Sequence, residues 1–93
     1  IHNFYEKNIA LGGESGRVFT NLGLSYSGVG ENEKAIVAYQ KAIALSGNLF
    51  QPWYDLGNTF SEMNRPDEAL TAYAESLKIN PYFIPAYNNS AKI

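Results

Sequence analysis

The chain has 93 residues, of which 45% are hydrophobic, 14% aromatic and 17% charged, with no cysteine and a formal net charge of -2. A chain this short buries roughly 60 to 65% of its unfolded surface, which excludes a two-domain enzyme built around an interdomain cleft. Basic residues scattered from Lys7 to Lys92 form no cluster for nucleic acid or an anionic membrane, and without cysteine there are no disulfides, thiolate metal sites or cysteine nucleophiles.

Taken in chain order, the apolar residues follow a helical period throughout. Tyr5, Ile9 and Leu11 fit a helix that Gly12 and Gly13 end. Phe19, Leu22 and Tyr26 recur at i, i+3 and i+7, one face of a second helix. Gly28, Val29 and Gly30 break it, and Ala35, Tyr39, Ala42 and Ile43 mark a third, which Ser46, Gly47 and Asn48 close. Trp53, Leu56 and Phe60 repeat the earlier spacing. Asn64, Arg65 and Pro66 break that helix in turn. Pro66 suits the first position of the next, where a missing N–H is harmless, and Asp67 and Glu68 complement its dipole. Ala69, Tyr73, Ser76 and Leu77 form its stripe, Asn80 and Pro81 end it, and Tyr87 belongs to a last helix.

Sliding the chain against itself by 34 residues superimposes these stripes: Phe19 falls on Trp53, Leu22 on Leu56, Gly23 on Gly57, Tyr26 on Phe60, Ala35 on Ala69 and Tyr39 on Tyr73. The register predicts four segments. Residues 1–15 are the second helix of a truncated unit, 16–49 and 50–83 are complete helix pairs, and 84–93 are the first helix of another truncated unit. With Ile1 in place of an initiator Met, the chain reads as a processed or excised piece of a longer array. Gly23 and Gly57 lie inside helical stripes, where glycine costs about 1 kcal/mol relative to alanine, so close approach of a partner helix is expected there. Ala35 and Ala69 are the expected partners, with Tyr26, Tyr39, Phe60 and Tyr73 filling the space where the helices diverge. One such hairpin cannot bury both its faces, so neighbouring hairpins must stack on it.

Trp53-x-x-Leu56-Gly57-x-x-Phe60, then Ala69-x-x-x-Tyr73 and Pro81, resembles the tetratricopeptide repeat. Residues 16–49 carry the same pattern as Phe19-x-x-Leu22-Gly23-x-x-Tyr26 and Ala35-x-x-x-Tyr39, with Gly47 in place of the proline. Asn8 and Ser76 depart from the family's alanine, and Ser90 and Ala91 stand where Leu-Gly is usual, which weakens packing of the last unit. The resemblance implies an all-α, right-handed superhelical solenoid of antiparallel helix pairs, without catalysis, whose concave groove binds a peptide or partner-protein segment. It places Arg17, Thr20, Asn21, Leu24 and Ser27 in that groove, followed by Gln51, Tyr54, Asp55, Asn58 and Glu62, then Asn88, Asn89 and Lys92.

Asn21, Asp55 and Asn89 recur at 34-residue spacing. Such a ladder suits pairing with the amides of an extended peptide, each bond contributing a net ~0.5 to 1.5 kcal/mol. Similar asparagine ladders line the repeat domain of O-linked N-acetylglucosamine transferases; the alternative reading is that these polar residues clothe the solvated side of an amphipathic helix. A clamp for a terminal carboxylate is disfavoured, because Thr20, Leu24, Tyr54 and Asn88 occupy its positions and Asp55 has the wrong sign.

The remaining chemistry is sparse. His2 is the sole histidine and has no second nitrogen ligand, so no metal site is expected, nor any cofactor. Glu31, Glu33, Asp67 and Glu68 sit at helix starts, where dipole compensation explains them. Gly12-Gly13-x-x-Gly16 lacks the strand and the Lys-Ser/Thr of a phosphate loop, and Asn88-Asn89-Ser90 spells a glycosylation acceptor on a packed helix. No apolar run reaches the ~18 to 20 residues of a membrane span, and no signal-peptide pattern opens the chain, so a cytoplasmic location is the default expectation. The favoured function is protein interaction through the groove. The alternatives are self-assembly through apolar faces around Tyr5, Ile9, Tyr87 and Ile93, or service as the recruiting arm of a larger enzyme such as an O-linked glycosyltransferase.

Overall fold

The computed structural model describes residues 15–93, which form five α-helices: α1 (Ser15–Gly28), α2 (Asn32–Leu45), α3 (Gln51–Glu62), α4 (Pro66–Ile79) and α5 (Ile84–Ala91). The expected helix around Tyr5 and Ile9 lies outside the described residues. Helix α1 packs most extensively on α2, and α3 on α4, as antiparallel hairpins. Helix α2 then stacks on α3, and α4 on α5, so the hairpins form a helical-repeat solenoid.

The turns inside the two hairpins are chemically different and geometrically equivalent. In the first, Gly30 takes φ 82°, and in the second Asn64 takes φ 60°. Each occupies the left-handed position of a Schellman cap. Glu31 N–H donates to Tyr26 O at 2.9 Å and Gly30 N–H to Ser27 O at 3.1 Å; Arg65 N–H donates to Phe60 O at 2.9 Å and Asn64 N–H to Ser61 O at 3.1 Å. Glycine meets this backbone demand without steric cost, and asparagine is the usual second choice. In the second turn the Arg65 guanidinium lies over the Phe60 ring at 4.8 Å, which closes the cap with a side-chain contact. Pro66 begins α4, with Asp67 and Glu68 in its first turn, as the sequence suggests.

The core is built from helix-pair contacts between small and aromatic residues. Ala35, Ala42, Ala69 and Ala86 are wholly enclosed, and Tyr39, Leu56, Phe60 and Tyr73 are buried around them. The close approach at the two glycines differs from the expectation. A methyl group on Gly23 would collide with the ring of Tyr39, and one on Gly57 with the ring of Tyr73, rather than with Ala35 or Ala69. Each tyrosine therefore lies against the opposing backbone, and the glycine makes the slot for its ring. The alanines are buried elsewhere in the same core.

Two residues expected to pack do not. Pro81 is exposed in the connection between α4 and α5. Leu22 is 40% exposed, whereas Leu56 at the equivalent place is 4% exposed. The difference follows from stacking. Leu56 shares its recess with Gln40 of α2, while the matching recess formed by Phe19, Leu22, Tyr26, Val37 and neighbouring residues is lined by α1 and α2 alone among the described residues.

Candidate functional site

The first helices of the pairs, α1, α3 and α5, carry the polar residues that the repeat register assigns to the groove. Arg17, Thr20, Asn21 and Leu24 from α1 meet Gln51 and Asp55 from α3 around a depression of about 210 Å³. Leu49, from the connection between α2 and α3, completes the lining. Its signal in the sequence is an apolar residue following Asn48 in a turn, and the helix register passes over it. Arg17, Asn21 and Gln51 are exposed, and Leu24 is 48% exposed, so an apolar side chain lies open among polar ones. Thr20 is buried, and its hydroxyl donates to the carbonyl of Gly16 at 2.7 Å. It supplies a wall of the depression, with its hydroxyl turned inward.

Asp55 is the most perturbed group here. It is half-buried, and burial pushes its carboxyl up to about 6. Among the described residues no hydrogen bond or ion pair holds the carboxylate. The Tyr39 ring lies close enough that burial and then the Asp55 charge both raise its hydroxyl above the usual range.

One repeat further on, the equivalent place has different chemistry. Asn89 corresponds to Asp55, Asn58 to Leu24 and Tyr73 to Tyr39. There Asn89 Nδ2 donates to Asn58 Oδ1 at 2.9 Å and to the Tyr54 hydroxyl at 3.0 Å, while the Tyr73 hydroxyl also donates to Asn58 Oδ1. The Tyr54 ring meets Phe83 edge-on at 4.9 Å and Tyr73 at 5.9 Å. Tyr54, Asn58 and Asn89, all expected in the groove, are thus joined in a network that ties α3, α4 and α5 together. Both amide hydrogens of Asn89 are used in it. Asn88 and Lys92 are exposed on and just beyond α5, Glu62 is exposed at the end of α3, and Ser27 is half-buried near the end of α1; none of them lines the depression.

The three rungs of the expected ladder therefore sit in three environments: Asn21 exposed, Asp55 half-buried and without a partner among the described residues, Asn89 hydrogen-bonded within the fold. The structure brings Asn21 and Asp55 to one depression. Among the described residues no group of His, Cys, Asp and Glu could hold a metal ion, and no helix is long and apolar enough to cross a membrane.

Two family models match the chain. One described as Tetratricopeptide repeat matches residues 50–83, and one described as TPR repeat matches residues 23–64. Among solved structures, "Crystal structure of MamA" is similar at 34% identity and a TM-score of 0.80, over 82% of this chain and 44% of the other. "Crystal structure of MamA protein" is similar at 32% identity and a TM-score of 0.82, over 92% of this chain and 47% of the other. The chain thus spans less than half the length of either. No curated protein sequence matches it.

Proposed function

Because the chain belongs to the tetratricopeptide repeat family, whose members are typically non-catalytic protein-interaction scaffolds, we propose that its concave face binds a segment of another polypeptide along α1 and α3. The observation that carries this reading is the open depression between those helices, where exposed Asn21 and Gln51 flank exposed Leu24. A partner segment bound there gains apolar contact from Leu24 and Leu49 and hydrogen bonds from the two amides. Such a mixture of one apolar patch with a few polar groups fits recognition of a single strand or helix better than enclosure of a small molecule.

A photo-crosslinking side chain placed at Leu24 tests the reading against the same probe at Val29, which is exposed in the turn between α1 and α2. Adducts from Leu24 that disappear with Asn21→Ala and Gln51→Ala support it. Equal labelling from both positions contradicts it.

A second reading, self-association, is favoured by apolar side chains at the last helix: Tyr82, Ile84, Tyr87 and Ile93 are exposed on and around α5. In this reading a second copy covers the outer face of α5. Light scattering over a concentration series distinguishes it, since a monomer throughout removes the idea.

A further inference from the structure

Within the depression between α1 and α3, Asp55 is an anomaly of design. Removing a carboxylate from water is costly unless it is paired or hydrogen-bonded, and the equivalent residue one repeat later, Asn89, is neutral and fully engaged by Asn58 and Tyr54. In the first repeat Leu24 stands at the place of Asn58, and among the described residues no side chain of α1 donates a hydrogen bond to the Asp55 carboxylate. Thr59, one turn along α3, gives its hydroxyl to the Asp55 backbone carbonyl at 3.0 Å and not to the carboxylate. Arg17 lines the same depression but is exposed and forms no ion pair with Asp55 among the described residues.

We propose that this depression is a pocket for a basic side chain of the bound polypeptide, with the Asp55 carboxylate as its anchor. The inference rests on the groove reading given above and names the chemistry of the segment the groove accepts. A lysine or arginine is suited to such a place by construction. Its aliphatic stem lies against Leu24 and Leu49, and its charged head supplies the donors that Asp55 lacks. The exposed amides of Asn21 and Gln51 remain for the backbone on either side. A charge pair formed in a half-buried recess is stronger than one on open surface, because less water screens it. Arg17 from α1 lines the same depression, and Tyr39 from α2 lies beside Asp55 with its hydroxyl raised above the usual range by burial and by the Asp55 charge. Burial raises Asp55 to about 6, so the anchor gains its charge as pH rises from 5 to 7.5.

The test is a magnetic-resonance titration of the intact chain with three capped glycine-serine peptides carrying a central lysine, norleucine or glutamate. The lysine peptide is expected to shift the Asp55 carboxyl carbon and the Leu24 and Gln51 amides saturably at pH 7.5. Its apparent affinity should fall by about tenfold for norleucine, and as much again for Asp55→Asn with the lysine peptide or at pH 5. Asp55→Glu should retain the preference. If all three peptides shift the depression with one midpoint, the groove reading stands and the basic-residue pocket is overturned. If the lysine peptide perturbs only residues elsewhere, both fail. No response of Asp55 to the lysine peptide also overturns the pocket.

Discussion

Replacing Gly57 with alanine places a methyl group 2.6 Å from Cε1, 2.7 Å from Cδ1 and 3.0 Å from Cζ of the Tyr73 ring. Carbon atoms at rest lie at about 3.5 to 4.0 Å, so the ring must move by roughly an ångström. It cannot do so freely, because Tyr73 is buried and its hydroxyl is tied to Asn58. In a helix alanine is favoured over glycine by about 1 kcal/mol, while overpacking a core of this kind costs about 1 to 3 kcal/mol. The clash involves three atoms of a ring held at both ends, which puts the overpacking toward the upper figure. The balance is a net destabilisation of about 1 to 2 kcal/mol, or a fall in melting temperature of roughly 4 to 16 °C for a domain of this size. Gly28 provides the control, since a methyl group there meets nothing within 4 Å. Urea unfolding of Gly57→Ala and Gly28→Ala, followed by circular dichroism, measures both. A Gly57→Ala chain as stable as the unaltered one would refute the ring-on-backbone account of the repeat's glycine.

Other outcomes follow from the same geometry. Asn58→Ala leaves the Tyr73 hydroxyl without its acceptor and should cost about 1 to 3 kcal/mol in urea unfolding, with part recovered by adding Tyr73→Phe. Leu56→Ala should cost about 2 to 5 kcal/mol, whereas Leu22→Ala at the equivalent but exposed place should cost clearly less; equal losses would show that the α1 face is covered in solution. Asp55 is pushed up to about 6 in the folded chain, above an unfolded value near 3.9, so the folded state holds the proton more tightly. Its contribution is therefore greatest at low pH and is lost as pH rises through about 6. Asp55→Asn should raise stability at pH 7 relative to the unaltered chain and remove that part of the pH dependence, and urea midpoints from pH 4 to 7 check the sign.

The helices and their pairing were legible in the residues because the 34-residue register repeats chemistry that packing requires. Phe60, Ala69 and Tyr73 have counterparts one unit earlier, and a shared pattern of that length constrains topology strongly. The partner of the glycines was not legible. Periodicity places Gly57 and Tyr73 on facing helices, but the tilt of the tyrosine ring toward the backbone depends on three-dimensional packing. The ladder of Asn21, Asp55 and Asn89 shows the same limit. Identical spacing brings these residues to equivalent places, yet the neighbour decides their use: Asn58 and Tyr54 engage Asn89, while Leu24 leaves Asp55 without a donor. Leu22 has the same place in the repeat as Leu56, yet it is 40% exposed where Leu56 is buried. Its exposure depends on which helix lies over it, which a residue pattern does not record.

The central claim is that the concave α1 and α3 surface binds a polypeptide segment. Peptides selected from a random library on the intact chain, then mapped by amide shift changes, test it directly. Perturbations gathered on Asn21, Leu24, Gln51 and Asp55 are the predicted result. Perturbations confined to Leu22, Val37 and the outer face of α2 would contradict it.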